Sequence, residues 1–196
     1  GAIQWQTSDG FILNVRNYLG SGSFDPNRHN YEFRSNAGGK FYGIADHSQI
    51  LRGEFPHPEF RKIYIKGTTN PITFYGLNLE RGGRSGGVIQ NPFLEAVGSG
   101  NIRVFGSKTE TDGIVFRFSE CNNISLNAIM AHAHIPPQDP LIVDLKQCSD
   151  IQINIVYCPY QKGGSMVSDD GKTVVDRTDF LGTFRKGNFN NAIFAE

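Results

Sequence analysis

Acidic and histidine side chains recur at matching positions after three strand-like segments, and their types suit acid–base or ligand-binding chemistry. Glu80, Glu110 and His132 each close a segment that begins with isoleucine, and Asp112 and His134 follow two of them at a distance of two residues. Side chains two positions apart on an extended chain face the same way. The sequence therefore predicts a polar patch formed by these residues on neighbouring strands.

This patch supports three interpretations. Paired carboxylates serve as acid and base in glycoside hydrolysis, and imidazole also transfers protons, so Glu110, Asp112 and His132 are candidate catalytic residues. The same groups could bind a sugar without chemistry, or they could be solvated side chains at strand ends. Histidine with carboxylates can also hold a metal, but a His-x-His spacing is a weak signal, and we assign neither a metal nor a cofactor.

Further polar and aromatic side chains extend the predicted ligand-binding surface. Lys108 precedes the patch, Arg84 lies in the loop before it, and Tyr157 and Tyr160 close the last repeat. Rings can pack on the apolar faces of sugars, and fixed polar groups orient the hydroxyls. The predicted ligand-binding residues are Glu80, Arg84, Lys108, Glu110, Asp112, His132, His134, Tyr157 and Tyr160.

These residues must be positioned by a repeated strand. Four segments begin with an apolar–polar–apolar alternation, which indicates β-strands. Their starts are 22 to 30 residues apart, and a variable period of this size is typical of stacked repeats with loops of different length. The segments are Ile72–Glu80, Ile102–Glu110, Ile124–His132 and Ile151–Pro159.

A second strand precedes each of the last three segments, and a polar turn joins the two strands. Asn101, Asn123 and Asp150 occupy one column of these turns, where their side chains tolerate left-handed backbone. Cys121 and Cys148 occupy the neighbouring column and are expected to be buried and stacked. The second strands are Phe93–Val97, Val115–Ser119 and Ile142–Lys146.

The second strands also align charged residues. Glu95, Arg117 and Asp144 fall in one column, and their alternating sign suits neighbouring strands, so we expect an exposed structural ladder. The alternation places three phenylalanines in the core, at Phe74, Phe105 and Phe118.

The fold class predicted by these columns is all-β, a right-handed single-stranded parallel β-helix (a solenoid) with capping segments at both ends. No stretch has helical periodicity, and hairpin turns of the Asn-Gly kind are scarce, which leaves a β-sandwich as the alternative. We predict an N-terminal cap with early strands over residues 1–60, stacked repeats over 61–162, and a capping or packing tail over 163–196.

Composition excludes some functions. The 196 residues carry 19 basic and 19 acidic side chains, and this balance argues against nucleic acid and against a membrane held by charge. No apolar run is long enough to span a bilayer. The chain opens at Gly1 without a methionine, so we expect it to be part of a longer protein.

The repeats resemble the pectate-lyase-like superfamily of right-handed β-helices over about residues 60–162. The resemblance rests on Ile102–Glu110, whose form is a strand followed by Gly, any residue, Lys, Thr and Glu. Thr111-Asp112-Gly113-Ile114 is similar to a segment of polygalacturonases, but Glu110 stands where asparagine belongs. The later catalytic segments of polygalacturonases, and the calcium-binding cluster and arginine base of pectate lyases, have no counterpart.

The resemblance implies a secreted or extracellular protein that handles polysaccharide. Because the catalytic signatures are missing, the expected function is a carbohydrate-binding module of a larger secreted carbohydrate-active protein, with an oligosaccharide or polysaccharide as ligand. Two alternatives remain, a polysaccharide lyase or glycoside hydrolase that uses the acidic and histidine residues, and a structural or adhesive segment.

Overall fold

The computed structural model describes residues 3–17, 29–47, 60–80, 91–110, 114–132, 141–158, 165–176 and 181–190, which contain seventeen strands. This part of the chain is all-β, and none of it forms a helix that could span a membrane. The strands are β1 (Ile3–Trp5), β2 (Phe11–Leu13), β3 (Arg16–Asn17), β4 (Tyr31–Phe33), β5 (Gly39–Tyr42), β6 (Ala45–Asp46), β7 (Ile63–Lys66), β8 (Ile72–Glu80), β9 (Leu94–Val97), β10 (Gly100–Glu110), β11 (Phe116–Ser119), β12 (Asn122–His132), β13 (Val143–Lys146), β14 (Ser149–Cys158), β15 (Ser165–Asp169), β16 (Lys172–Asp176) and β17 (Leu181–Lys186).

The strands form two sheets. Sheet one has the order β1-β4-β7-β9-β11-β13-β15-β16, and sheet two has the order β2-β5-β8-β10-β12-β14-β17, with β6 beside β8 and β3 beside β6. From β7 to β15, successive strands alternate between the two sheets. Among the described strands, antiparallel pairing occurs only between β15 and β16 and between β14 and β17, so the hairpins that a β-sandwich requires are confined to one end.

The predicted register of the four repeated segments is confirmed at their starts, but between β12 and β14 it shifts by one residue after Leu126, so that His132 pairs with Cys158. Ile102 pairs with Ile72 and with Ile124, and Ile124 pairs with Ile151, in parallel strands. All four isoleucines are buried, because the apolar positions of each alternating pattern face the interior between the sheets.

Left-handed residues shape each repeat at two places. Asn101, Asn123 and Asp150 have φ of 57°, 51° and 56° where the chain passes from sheet one to sheet two, as predicted from their side chains. A second column divides each of four sheet-two segments. It contains Gly43, Gly76, Gly106 and Ala128, whose φ values lie between 54° and 67°.

The charge ladder of sheet one has the predicted register, but the prediction that it is exposed is wrong. Arg117 pairs with Glu95 and Asp144, and its Nε lies 2.9 Å from Asp144 Oδ2. The three side chains are only 9 to 19% exposed. Arg61 also contacts Glu95, with 2.5 Å between Nε and Oε2, so the row of alternating charges is Arg61, Glu95, Arg117 and Asp144. Each charge has an oppositely charged neighbour, which explains how these side chains tolerate partial burial.

The predicted buried residues are largely confirmed. Phe74 and Phe118 lie in the core, and Cys121 and Cys148 are free and buried. The prediction for Phe105 is wrong, because its side chain is half-buried on the outer face of sheet two. Its ring stacks on Tyr75, and this contact buries part of the ring without placing it in the core.

The sheets extend into both predicted capping regions. Parallel pairing already joins β1 to β4 and β2 to β5, so the boundary expected near residue 61 corresponds to no change of architecture in the described strands. In the C-terminal region, β15 adds one more parallel strand to sheet one. The antiparallel β16 and β17 then lie along the last strands of the two sheets.

Candidate functional site

Glu80 is the centre of a polar cluster at the end of β8. Its carboxylate accepts a hydrogen bond from Lys108 Nζ on the adjacent β10. Its other oxygen, Oε2, lies 3.3 Å from Nδ1 of His47, which follows β6. The Glu80 side chain is 12% exposed, His47 is 13% exposed and Lys108 is 36% exposed, so the cluster is open mainly on the lysine side.

Strand register explains why these residues meet. Glu110 pairs with Glu80 on one side and with His132 on the other, which confirms the predicted column. Asp46 pairs with Leu79, so the next residue, His47, lies beside Glu80. His47, Glu80, Glu110 and His132 therefore follow one another across four strand ends. For Glu110 and His132 the structure describes only the backbone position.

The Glu80 carboxylate is ionised at neutral pH. Burial favours its neutral form, but the hydrogen bond and charge of Lys108, with contributions from His47 and Asn78, outweigh burial and lower the pKa of Glu80. Burial lowers the pKa of His47, and the Glu80 charge only partly opposes this. The site thus combines an anion, a cation and a neutral imidazole.

An interior ion pair holds the backbone behind the site. Lys62 Nζ donates to Glu80 O at 2.7 Å, to Asp46 O at 3.1 Å and to Asp46 Oδ1 at 3.3 Å. Asn30 Nδ2 donates to Asp46 Oδ2 at 2.7 Å. Burial lowers the pKa of Lys62 and the Asp46 carboxylate opposes it, so removing Asp46 would leave a buried ammonium without its counter-charge.

An aromatic stack lies before the site on the outer face of sheet two. Tyr42 stacks on Tyr75 with ring centroids 4.8 Å apart, and Tyr75 stacks on Phe105 at 5.6 Å. The rings are within 12° of parallel, so the face of each ring contacts the face of the next ring. The stack therefore mainly stabilises the sheet and presents ring edges outward. Arg103 lies over Phe105, with its guanidinium carbon 5.3 Å from the ring centre.

The structure brings together some of the predicted site residues. Glu80 and Lys108 are in direct contact, and the backbone of Glu110 and His132 lies in the same row. The backbone of Tyr157 pairs with Ala131, one column from that row. The remaining predicted residues, Arg84, Asp112, His134 and Tyr160, lie outside the described residues.

Sequence analysis missed His47 and the ion pair of Asp46 and Lys62. The sequence contains a signal for the position of His47, because the tripeptide Phe41-Tyr42-Gly43 is repeated as Phe74-Tyr75-Gly76. Aligning these two tripeptides places His47 opposite Glu80. The first tripeptide lies within residues 1–60, which the repeat pattern predicts to be a cap.

Within the described ranges, no group of three or more histidine, cysteine, aspartate or glutamate side chains could hold a metal ion. Comparison with known proteins gives no match: no family model, no curated protein and no solved structure matches this chain. A function for this chain is therefore inferred from the geometry of the site and from the resemblance of the repeats.

Proposed function

We propose that the chain winds as a right-handed single-stranded parallel β-helix. Successive strands that alternate between two parallel sheets, with neighbours 22 to 30 residues apart in sequence, support this winding. The right hand follows from the strong preference of parallel crossover connections. Recurring left-handed turns at Asn101, Asn123 and Asp150 support a repeated path.

We propose that the cluster around Glu80 binds carbohydrate. The observation that carries this proposal is the Glu80 carboxylate held between Lys108 and His47 on adjacent strand ends. A sugar hydroxyl both donates and accepts hydrogen bonds, so it can be bound by a fixed anion next to a fixed cation. Strands supply these groups with little ordering cost on binding.

The ligand proposed is an oligosaccharide or polysaccharide that crosses several strands. Glu80, Glu110 and His132 recur at the strand-to-strand spacing, so a chain of sugars lying across the strands meets a polar position at each strand. The net charge of zero gives no support to a nucleic-acid or membrane partner. We further propose that the chain acts as a module of a larger secreted protein, on the basis of the resemblance alone.

A catalytic role is the second candidate. The observation in its favour is an ionised carboxylate next to a neutral imidazole, since either group can accept a proton. Glu80 is poorly suited to be the general acid of a glycosidase, because that residue needs a raised pKa. The assignments of Glu110, Asp112 and His132 as catalytic residues stay predictions.

A polysaccharide array tests the proposal. The purified chain is applied to immobilised polysaccharides while release of reducing ends and of unsaturated sugar products is measured. A binding module retains one or more polysaccharides and releases neither product. Product release would identify a hydrolase or a lyase instead, and failure to bind any polysaccharide would contradict carbohydrate binding.

A further inference from the structure

The two ends of the sheets differ in how they are covered. At the C-terminal end, the antiparallel β16 and β17 lie along the last parallel strands. At the N-terminal end, β2 is the outermost strand of sheet two and pairs with β5 among the described strands. Open strand edges readily pair with another strand, and natural proteins cover or charge them.

The β2 edge carries the most exposed large apolar side chains of the described residues. Phe11 is 66% exposed and Leu13 is 58% exposed, and both point to the outer side of the sheet. Met130 and Val174, the other exposed large apolar residues, are 39% and 38% exposed. A strand edge with two such neighbours is a candidate interaction surface.

The core is also incompletely covered at this end. Ile3, Trp5, Ile12 and Val15 pack against the core and are only partly buried. The next strands of the two sheets bury their inward side chains almost completely. Those side chains, Tyr31, Phe33, Phe41 and Ile44, are at most 2% exposed. The first strands thus leave apolar interior surface in contact with water, which favours burial by a further layer.

We propose that a second copy of this chain covers the N-terminal edge, with β2 of each copy paired antiparallel across a two-fold axis at Ile12. In this register Phe11 of one copy faces Leu13 of the other, and the pairing occurs twice because the two copies are equivalent. The charges are also complementary. Asp9 precedes β2 and Arg16 follows it, so the two-fold axis brings the acidic end of each strand toward the basic end of the other.

Head-to-tail addition is a different mode, in which the β2 edge would pair with β17, the outermost strand of sheet two at the other end. There β17 pairs antiparallel with β14 over six residues from Ile151 to Val156. An edge-to-edge pair of N-terminal ends closes on itself and produces a dimer and not a fibre.

Sedimentation equilibrium and light scattering of the intact chain test the proposal. The wild-type mass is expected to rise from 21.7 kDa to twice that value as the protein concentration increases. Leu13→Lys should weaken self-association by roughly tenfold or more, because a charge replaces a leucine that the proposed pairing buries. The matched control, Val174→Lys, changes an exposed apolar residue at the covered end and should leave the dimer unchanged.

A wild-type chain that stays monomeric throughout would overturn the proposal. So would a Leu13→Lys variant that dimerises as the wild type does, or an assembly that continues to grow beyond two copies. Circular dichroism of both variants establishes that they are folded. A second test addresses the register of the proposed pairing. Ile12→Cys should form a disulfide between copies on air oxidation, since the two-fold axis places residue 12 of one copy opposite residue 12 of the other.

Discussion

Ser107 presents a hydroxyl to the interior with no hydrogen-bond partner in the described structure, although it is only 2% exposed. Its neighbours in the same column are Leu77 and Ile129, which offer no acceptor side chain. Two residues later, Thr109 is equally buried, but its Oγ1 donates to Leu79 O at 2.6 Å. The unpartnered Ser107 hydroxyl therefore destabilises the fold, whereas the hydrogen-bonded Thr109 hydroxyl stabilises it.

Ser107→Ala is expected to raise the free energy of unfolding by about 1 kcal/mol, because it removes a buried polar group without a partner. Thr109→Val keeps the shape and loses a hydrogen bond, so it should lower the free energy of unfolding by about 1 kcal/mol. Urea denaturation of the two variants and the wild type measures both changes. A loss of stability in Ser107→Ala as large as that in Thr109→Val would show that the Ser107 hydroxyl is satisfied.

At the scale of the residue, part of the site could be predicted. Glu80 was predicted because it ends an aligned segment, and Lys108 because it lies two residues before the end of the next one; the register that joins them follows from the apolar alternation. His47 could be aligned with Glu80 only through the short match of Phe41–Gly43 to Phe74–Gly76. Lys62 could not be placed by alignment, because its contact with Asp46 joins separate parts of the chain and no apolar pattern specifies its partner.

Four segments of sheet two are divided by a left-handed residue in the same column. Glycine occupies this position at Gly43, Gly76 and Gly106, where a positive φ costs little. Ala128 occupies the same position in β12 with a φ of 54°, and its side chain is solvent-exposed. An alanine in this conformation is strained by about 1 kcal/mol, because its Cβ crowds the following carbonyl oxygen.

Ala128→Gly is therefore expected to raise the thermal midpoint and to increase the free energy of unfolding by about 0.5–1 kcal/mol. Ala45→Gly is the matched control, because Ala45 lies in the extended strand β6 and glycine there should destabilise the protein. Differential scanning calorimetry compares the two variants. Destabilisation of both by similar amounts would contradict a left-handed backbone at residue 128.

At the scale of the element, register was more predictable than exposure. The column of Glu95, Arg117 and Asp144 was predicted from aligned charges, and its pairing is observed. Its partial burial was not predictable, because the additional partner Arg61 comes from residues outside the aligned repeats. Phe105 illustrates the same limit, since stacking on Tyr75 holds it at the surface.

At the scale of the whole molecule, two parallel sheets extend beyond the segments in which the sequence shows a repeat. The early strands β1 to β6 are short, at two to four residues each, so their alternation is too brief to indicate a period. They continue both sheets nonetheless, because their backbone pairs with the longer strands that follow. This extension places His47 at the site and exposes the N-terminal edge.

The two faces of the molecule carry different charge arrangements. On sheet one, the Glu95 carboxylate is paired with Arg61 and Arg117, whose side chains are 9% and 19% exposed. At the end of sheet two, Glu80 shares its carboxylate with a lysine that is 36% exposed. The cationic partner is therefore more open to a ligand at Glu80 than at Glu95.

Isothermal titration with a polysaccharide retained on the array tests the central claim most directly when Glu80→Gln is compared with Glu95→Gln. Both changes remove one charge from an ion pair, one at the proposed site and one in the ladder of sheet one. Glu80→Gln is expected to weaken binding by about 1–3 kcal/mol, roughly fivefold to 150-fold in affinity, whereas Glu95→Gln leaves binding unchanged. Equal affinity of Glu80→Gln and wild type would contradict a carbohydrate site at Glu80.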